Sequence, residues 1–196
     1  MSLLTTTTLA ILYNAANAQE AQEHEAVTFW DHLWQKVYFP EEQWVIAQQS
    51  PPTGHTGDRR RRMDTGIFLV NPVLCRLEMV AAVEGKGRDA GPKGIEEVEM
   101  QAEQACKSRC LDTSGVWAVT FIGTKARVWK YTILPLPSWS SVTRDPDGEP
   151  TLENYIDAND VSLAPELDAA FRNMRTTIIP RGHHVLGSTS SPKQGC

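Results

Sequence analysis

The stretch VLCRLEMVAAVEGK, residues 73–86, decides how the chain is read. Side chains on a strand alternate between faces. Here Val73, Cys75, Leu77, Met79, Ala81 and Val83 share one face, and Arg76, Glu78, Glu84 and Lys86 the other. The run ends on a carboxylate and an ammonium, Glu84 and Lys86, spaced so that both project the same way. An apolar strand has no structural need of that pair. Just upstream, MDTGIFLV (63–70) reads as another strand, with Asn71-Pro72 turning the chain between them. If the two strands pair as a hairpin, Asp64 approaches Glu84, and two carboxylates and a lysine share one end of a sheet.

Outward from this hairpin, the other elements follow from periodicity and breakers. EHEAVTFWDHLWQKVYF (23–39) places Ala26, Val27, Trp30, Leu33, Trp34 and Val37 at helical spacing, and Pro40 ends the helix. EQWVIAQQ (42–49) reads as a short strand. SPPTGHTGD (50–58) reads as a loop leading into Arg59, Arg60, Arg61 and Arg62. Downstream, GRDAGPKG (87–94) is a loop. IEEVEMQAEQACKSRCL (95–111) is a helix whose buried stripe is Ile95, Val98, Ala102, Ala105 and Cys106. VWAVTFIGTKARVWKYTIL (116–134) is a hairpin turning at Gly123-Thr124, and PLPSWSSVTRDPDGEP (135–150) is a polar loop. Ser162 caps a last helix running to about Arg175, with Leu167, Ala170, Phe171 and Met174 on its apolar face. Residues 1–22 read as an N-terminal extension and 179–196 as a disordered tail. The order of elements predicts an α/β fold, a central mixed sheet flanked by helices.

The totals agree with one domain and set limits on function. A chain of 196 residues, 41% hydrophobic and 22% charged, has enough apolar surface for a sizeable core. A formal net charge of -5 excludes a generally basic nucleic-acid binder, so such binding needs a local basic patch. No apolar run is long enough to span a bilayer. Cys75, Cys106, Cys110 and Cys196 form no CxxC pair and read as reduced, mostly buried thiols. Ala16-Asn17-Ala18 has the form of a leader-cleavage site. No Lys or Arg precedes Lys36, however, and threonines interrupt the apolar part, so the expectation is an intracellular protein, nuclear or cytoplasmic.

Two carboxylates held together repel unless a cation lies between them, and oxygen donors that leave room for water suit Mg²⁺. Beside such an ion a lysine can orient or help deprotonate a water, or stabilise charge on a phosphoryl transition state. Spacing alone also admits a plainer reading, with Glu84 and Lys86 as the solvated end of a strand and Asp64 as a turn residue.

The ordered set RRMD (61–64), VEGKG (83–87), EEVEMQAEQAC (96–106) and FIGTKARVWKY (121–131) resembles the PD-(D/E)XK nuclease superfamily, and within it nuclease-like domains common in filamentous fungi. The Trp-rich first helix and EEQWVIAQQ fit as well. The resemblance covers residues 23–178. It implies a restriction-endonuclease-like three-layer sandwich with an αβββαβ core. It implies Mg²⁺, with Mn²⁺ as a substitute, held by Asp64, Glu84 and the Gly85 carbonyl, that of Val83 being an alternative. It makes Lys86 the catalytic lysine and places Gln101 beside the site. The implied activity is phosphodiester hydrolysis, of DNA ahead of RNA. Independently of the resemblance, Arg59 to Arg62 beside Asp64 read as positive charge where a phosphate backbone would lie, with Lys125, Arg127 and Lys93 extending the patch, or as a solubilising loop. A homodimer is compatible with this reading but required by no feature. The alternative is a catalytically degenerate nuclease-fold module serving nucleic-acid or protein interaction in a fungal defence or effector protein. Glu25, on the first helix, is a candidate extra ligand or a solvated helix residue. Trp117, Trp129 and Tyr131 read as core in preference to base-stacking platforms. Met63 stands where the superfamily often has proline. Gly85 is unusual inside a strand and reads as a bend or a point of close approach.

Overall fold

The computed structural model describes residues 1–48, 64–109, 115–133, 135–145 and 149–176. Helix α1 (Thr7–Ala16) is capped by Thr6, whose hydroxyl accepts the Leu9 N–H at 3.2 Å. Helix α2 (Glu23–Leu33) starts on a capping box in which Glu25 turns back to accept the Gln22 N–H at 2.8 Å. A π-helical turn (Trp34–Tyr38) continues α2. Then follow β1 (Trp44–Gln48), β2 (Thr65–Asn71), β3 (Arg76–Lys86), α3 (Pro92–Arg109), β4 (Val116–Ile122), β5 (Lys125–Thr132), β6 (Ser138–Ser141), β7 (Ile156–Asp157) and α4 (Ala164–Thr176).

The strands form one mixed sheet in the order β1-β2-β3-β4-β5-β6, with β7 pairing β5. Among the described strands, β3 and β4 run parallel, because α3 carries the chain back across the sheet between them, and the other pairings are antiparallel. All seven residues of β4 are buried, which is why VWAVTFI reads as a continuous apolar run.

Helices cover both faces. On one, Phe29, Trp30 and Trp34 pack with Phe121 of β4 and Phe171 of α4 around Ile67, Ala81, Val83, Val119 and Val128. On the other, Ala102, Ala105 and Cys106 of α3 cover Phe68, Ala82, Ala118, Trp129 and Tyr131, and Ile95 and Val98 reach Ile122 and Tyr155. The α/β class and the central mixed sheet with flanking helices are as expected. So is the placement of Trp117, Trp129 and Tyr131 in the core. Among the described residues no helix is long and apolar enough to cross a membrane.

Several local expectations are corrected. The single apolar face read along residues 73–83 does not exist. Val73 and Cys75 lie in the exposed turn between β2 and β3, and Val73 is 76% exposed. Within β3 the pairing steps from Ile67↔Ala81 to Phe68↔Met79, leaving Val80 as an extra residue. This bulge reverses the alternation, so Met79 packs on the α3 side while Ala81 and Val83 face α2. Residues 138–141, read as loop, are the edge strand β6, paired to β5 from Trp129↔Ser141 to Thr132↔Ser138.

Residues 7–16, within the stretch read as an extension, are helix α1. Its Leu9, Tyr13 and Ala16 are buried in the same core as α2. Ser162 does not cap α4: its hydroxyl donates to Asp160 at 2.6 Å, and the Asp160 carboxylate accepts the Ser162 and Leu163 N–H groups at 2.8 and 3.1 Å in the turn that leads into the helix. Cys106 is buried as expected, its thiol donating to the Trp117 carbonyl at 3.4 Å, but Cys75 is exposed and disulfide-bonded.

Candidate functional site

The antiparallel register sets Thr65 of β2 against Val83 of β3. Asp64, one residue earlier, therefore falls beside Glu84, one residue later. The Gly85 N–H donates to Asp64 Oδ2 at 2.8 Å, and the Asp64 N–H donates to the Glu84 carboxylate. The chain ends of the hairpin are thus locked by reciprocal backbone-to-carboxylate bonds where the strand ladder has run out. Glu84 is 5% exposed.

In the described part of the site, each of three carboxyls is raised chiefly by burial. Burial pushes the Glu84 carboxyl up to about 8; Asp64 and Glu23 add to the rise, while the Asp64 N–H and Lys86 work against it. Asp64 is raised by burial, against the Gly85 N–H and Lys86. Glu23, at the first turn of α2, is raised by burial and by Asp64, with Lys86 opposing and Glu97 adding to the rise. Among the described residues, Lys86 is the cation that opposes the rise at Asp64, Glu84 and Glu23 alike.

Glu23 is the residue that sequence reasoning missed. The signal was present in QEHE (22–25): a capping box consumes the third helical residue, Glu25, and leaves Glu23 free to face the strands. Glu25 also meets His24 at 3.0 Å, so its place is the helix end and not the site. Gln101 is half-buried on α3, and its amide donates to Glu97 Oε1 at 3.1 Å, so it joins the cluster through Glu97.

Gly85 is explained by packing. A Cβ built there would lie 2.0 Å from Phe121 Cζ, so the ring that closes the Trp30–Trp34 cluster occupies the space a side chain would need. The close approach is made by the protein's own core.

Arg127 cannot be part of a surface patch. It is fully buried under α3, where it meets Glu99 Oε1 at 3.4 Å, Ser141 Oγ at 3.2 Å and the Asp145 carbonyl at 2.6 Å, and lies over the Trp129 ring. Glu99 also accepts the Tyr155 hydroxyl at 3.0 Å, and that hydroxyl reaches Thr120, the register partner of Glu84, at 2.9 Å. Lys125 is half-buried at the start of β5, and Lys93 is exposed on the first turn of α3. Arg59, Arg60, Arg61 and Arg62 lie outside the described residues.

As a metal centre the donor set is sparse. Among the described residues no three His, Cys, Asp or Glu side chains form a group that could hold a metal ion. Asp64 and Glu84 supply hard oxygens, with the Gly85 carbonyl as a neighbouring neutral donor. That chemistry suits a cation that keeps waters in its shell. The raised Glu84 carboxyl is the observation that fits such an ion, since a divalent charge there would offset the repulsion from Asp64 and Glu23. Compared with protein-family models, with curated proteins and with solved structures, the chain matches none.

Proposed function

We propose that the end of β2 and β3 is a phosphodiesterase site, and that the chain is a Mg²⁺-dependent nuclease of the restriction-endonuclease-like class acting on DNA ahead of RNA. The observation that carries this reading is the convergence of Asp64, Glu84 and Lys86 at the end of one hairpin, where burial and then the charge of Asp64 raise the Glu84 carboxyl to about 8. Asp64, Glu84 and the Gly85 carbonyl would hold the cation; when bound it lowers the pKa of a coordinated water and polarises a phosphoryl oxygen.

The protein's own part is positional. The Gly85 N–H holds Asp64 Oδ2 against β3. The Asp64 N–H orients Glu84 in the same way. Lys86 contributes a half-buried ammonium on the same side of β3 as Glu84, where it orients the attacking water and stabilises the negative charge that builds on the phosphoryl oxygens. Water adds to phosphorus, the bond to the leaving oxygen breaks, and the products are a phosphate monoester and an alcohol. Gln101 and Glu97 bound the site on the α3 side.

Purified protein is tested for Mg²⁺- and Mn²⁺-dependent cleavage of single- and double-stranded DNA and RNA, beside Lys86→Ala and Asp64→Ala. Cleavage by the wild type that both variants lose is the expected result. Cleavage that survives both substitutions would sink the assignment.

The second reading, a nuclease-fold module that binds without cutting, draws on a different observation. The described part of the site is dominated by carboxylates, and one of its expected cations, Arg127, is committed to the core. No cleavage on any substrate, with no Mg²⁺ binding by calorimetry, favours that module.

A further inference from the structure

Asp31 is a carboxylate that the proposed chemistry does not use. It projects from α2 toward the sheet and is 5% exposed. One oxygen accepts the Thr65 hydroxyl at 3.3 Å and the other accepts the Gln48 amide at 2.5 Å. Those two residues are register partners, Gln48 the last of β1 and Thr65 the first of β2. A buried carboxylate is costly unless its oxygens are satisfied. Here burial raises its pKa and the bonds from Gln48 and Thr65 pull it down. The location makes the cost informative. Asp31 clasps the ends of two strands at the point where β2 begins, and Thr65 is covalently joined to Asp64.

We infer that Asp31 is a positioning residue for the candidate site: by holding Thr65 and Gln48 together it fixes the start of β2, and so the place of the Asp64 carboxylate against β3. The inference deepens the proposed nuclease reading and rests on it for its significance, but the geometry it describes has a readout that needs neither metal nor substrate. The pairing of β2 with β3 stops at Thr65↔Val83, so the Gly85 N–H on that side is protected by Asp64 Oδ2 and not by a strand. Its exchange with solvent reports whether Asp64 is in place.

The experiment is amide hydrogen exchange by NMR on the full chain, without metal, for wild type, Asp31→Ala, Asp31→Asn and Thr65→Val. The Gly85 amide is expected to exchange about tenfold faster in Asp31→Ala and in Thr65→Val, in line with loss of one buried hydrogen bond, while Val119 in the central strand stays at the wild-type rate. Asp31→Asn keeps an oxygen facing Thr65 and is expected to hold Gly85 near the wild-type rate. Thr65→Val cuts the link from the strand side with a shape-matched, strand-favouring residue, and decides the matter if Asp31→Ala does not fold. Unchanged Gly85 exchange in Thr65→Val, or in a folded Asp31→Ala, would overturn the inference.

Mn²⁺ titration of the same proteins separates the two claims. Weaker binding in the variants that lose Gly85 protection supports both. A wild type that binds no Mn²⁺ while the variants still lose Gly85 protection removes the metal site and leaves the positioning role standing.

Discussion

Phe121 fills the space in which a side chain on Gly85 would begin. A Cβ there would lie between 2.0 and 2.5 Å from three atoms of the ring, and the ring is itself wedged against Trp30 and Trp34. The residue between the two charged side chains of the candidate site is therefore chosen by the far face of the sheet. Strand alternation makes this necessary: Glu84 and Lys86 point one way, so whatever lies between them points into the α2 layer. The candidate site and the aromatic core share one strand, and each limits what the other can be.

Gly85→Ala is thus expected to destabilise the fold by about 1–3 kcal/mol, the usual cost of overpacking a tight core. The measurement is the urea midpoint at constant slope. Phe121→Leu, which gives the added methyl room, is expected to recover part of that loss when combined with Gly85→Ala. A single Gly85→Ala variant as stable as wild type would show that the ring is not confined as described.

Stability should fall as pH rises from the ordinary carboxylate range toward 8. Glu84 is raised to about 8, so the folded chain holds a proton that the unfolded chain has already released, and each unit of pH in that window costs up to about 1.4 kcal/mol for this group. Below the ordinary carboxylate pKa both states are protonated and the term is absent. Above about 8 it is at its full, unfavourable value. Asp64, Glu23, Asp31 and Glu99 are raised as well and act with the same sign. Urea titrations between pH 5 and pH 9 should therefore show a downward slope that Glu84→Gln reduces. An equal slope in wild type and Glu84→Gln would remove the raised carboxyl from the account.

The sheet was legible where one physical cue dominated. The β4–β5 hairpin declared itself through two apolar arms around Gly123, which sits at a φ of 57° that favours glycine. The approach of Asp64 to Glu84 followed from pairing two strands through a short turn. What escaped was non-local. The bulge at Val80 leaves no mark in a simple alternation count. The edge strand β6 is polar because it pairs on one side only, so it reads as loop. Arg127 looked like a surface cation because nothing in GTKARVWKY announces that Glu99, a helix away, waits beneath α3 to pair with it. Glu23 was legible in principle, through the capping box, but only once the start of α2 was fixed.

The two charged members of the site should separate by readout. Lys86→Ala is expected to lose at least about a hundredfold in turnover, since the ammonium acts on charge that develops during the reaction, while Mg²⁺ binding persists. Asp64→Asn keeps the size of the side chain and its bond from the Gly85 N–H but removes a ligand charge, so it is expected to weaken Mg²⁺ binding by about tenfold or more. Isothermal titration with Mg²⁺, run beside cleavage kinetics at saturating metal, distinguishes the two. Metal binding also displaces the proton that Glu84 holds below about 8, so Mg²⁺ affinity is expected to rise with pH up to that point. Affinity that is flat between pH 6 and pH 8 would argue that Glu84 is not a ligand.

Arg127→Ala should be among the most damaging substitutions in the protein, and for a reason unrelated to nucleic acid. It leaves the Glu99 carboxylate buried without its cation, at a cost of about 3–5 kcal/mol. The Ser141 hydroxyl and the Asp145 carbonyl lose the guanidinium as well. Removing both charges together, with Arg127→Met and Glu99→Leu, takes away the unpaired ion as well as the pair and is expected to recover most of the loss. Thermal unfolding of the two single variants and the double variant gives the coupling. If Arg127 instead contacted a phosphate backbone, the single variant would be stable and would bind nucleic acid with a shallower salt dependence. A stable Arg127→Ala chain with that altered salt slope would reverse the assignment of Arg127 to the core.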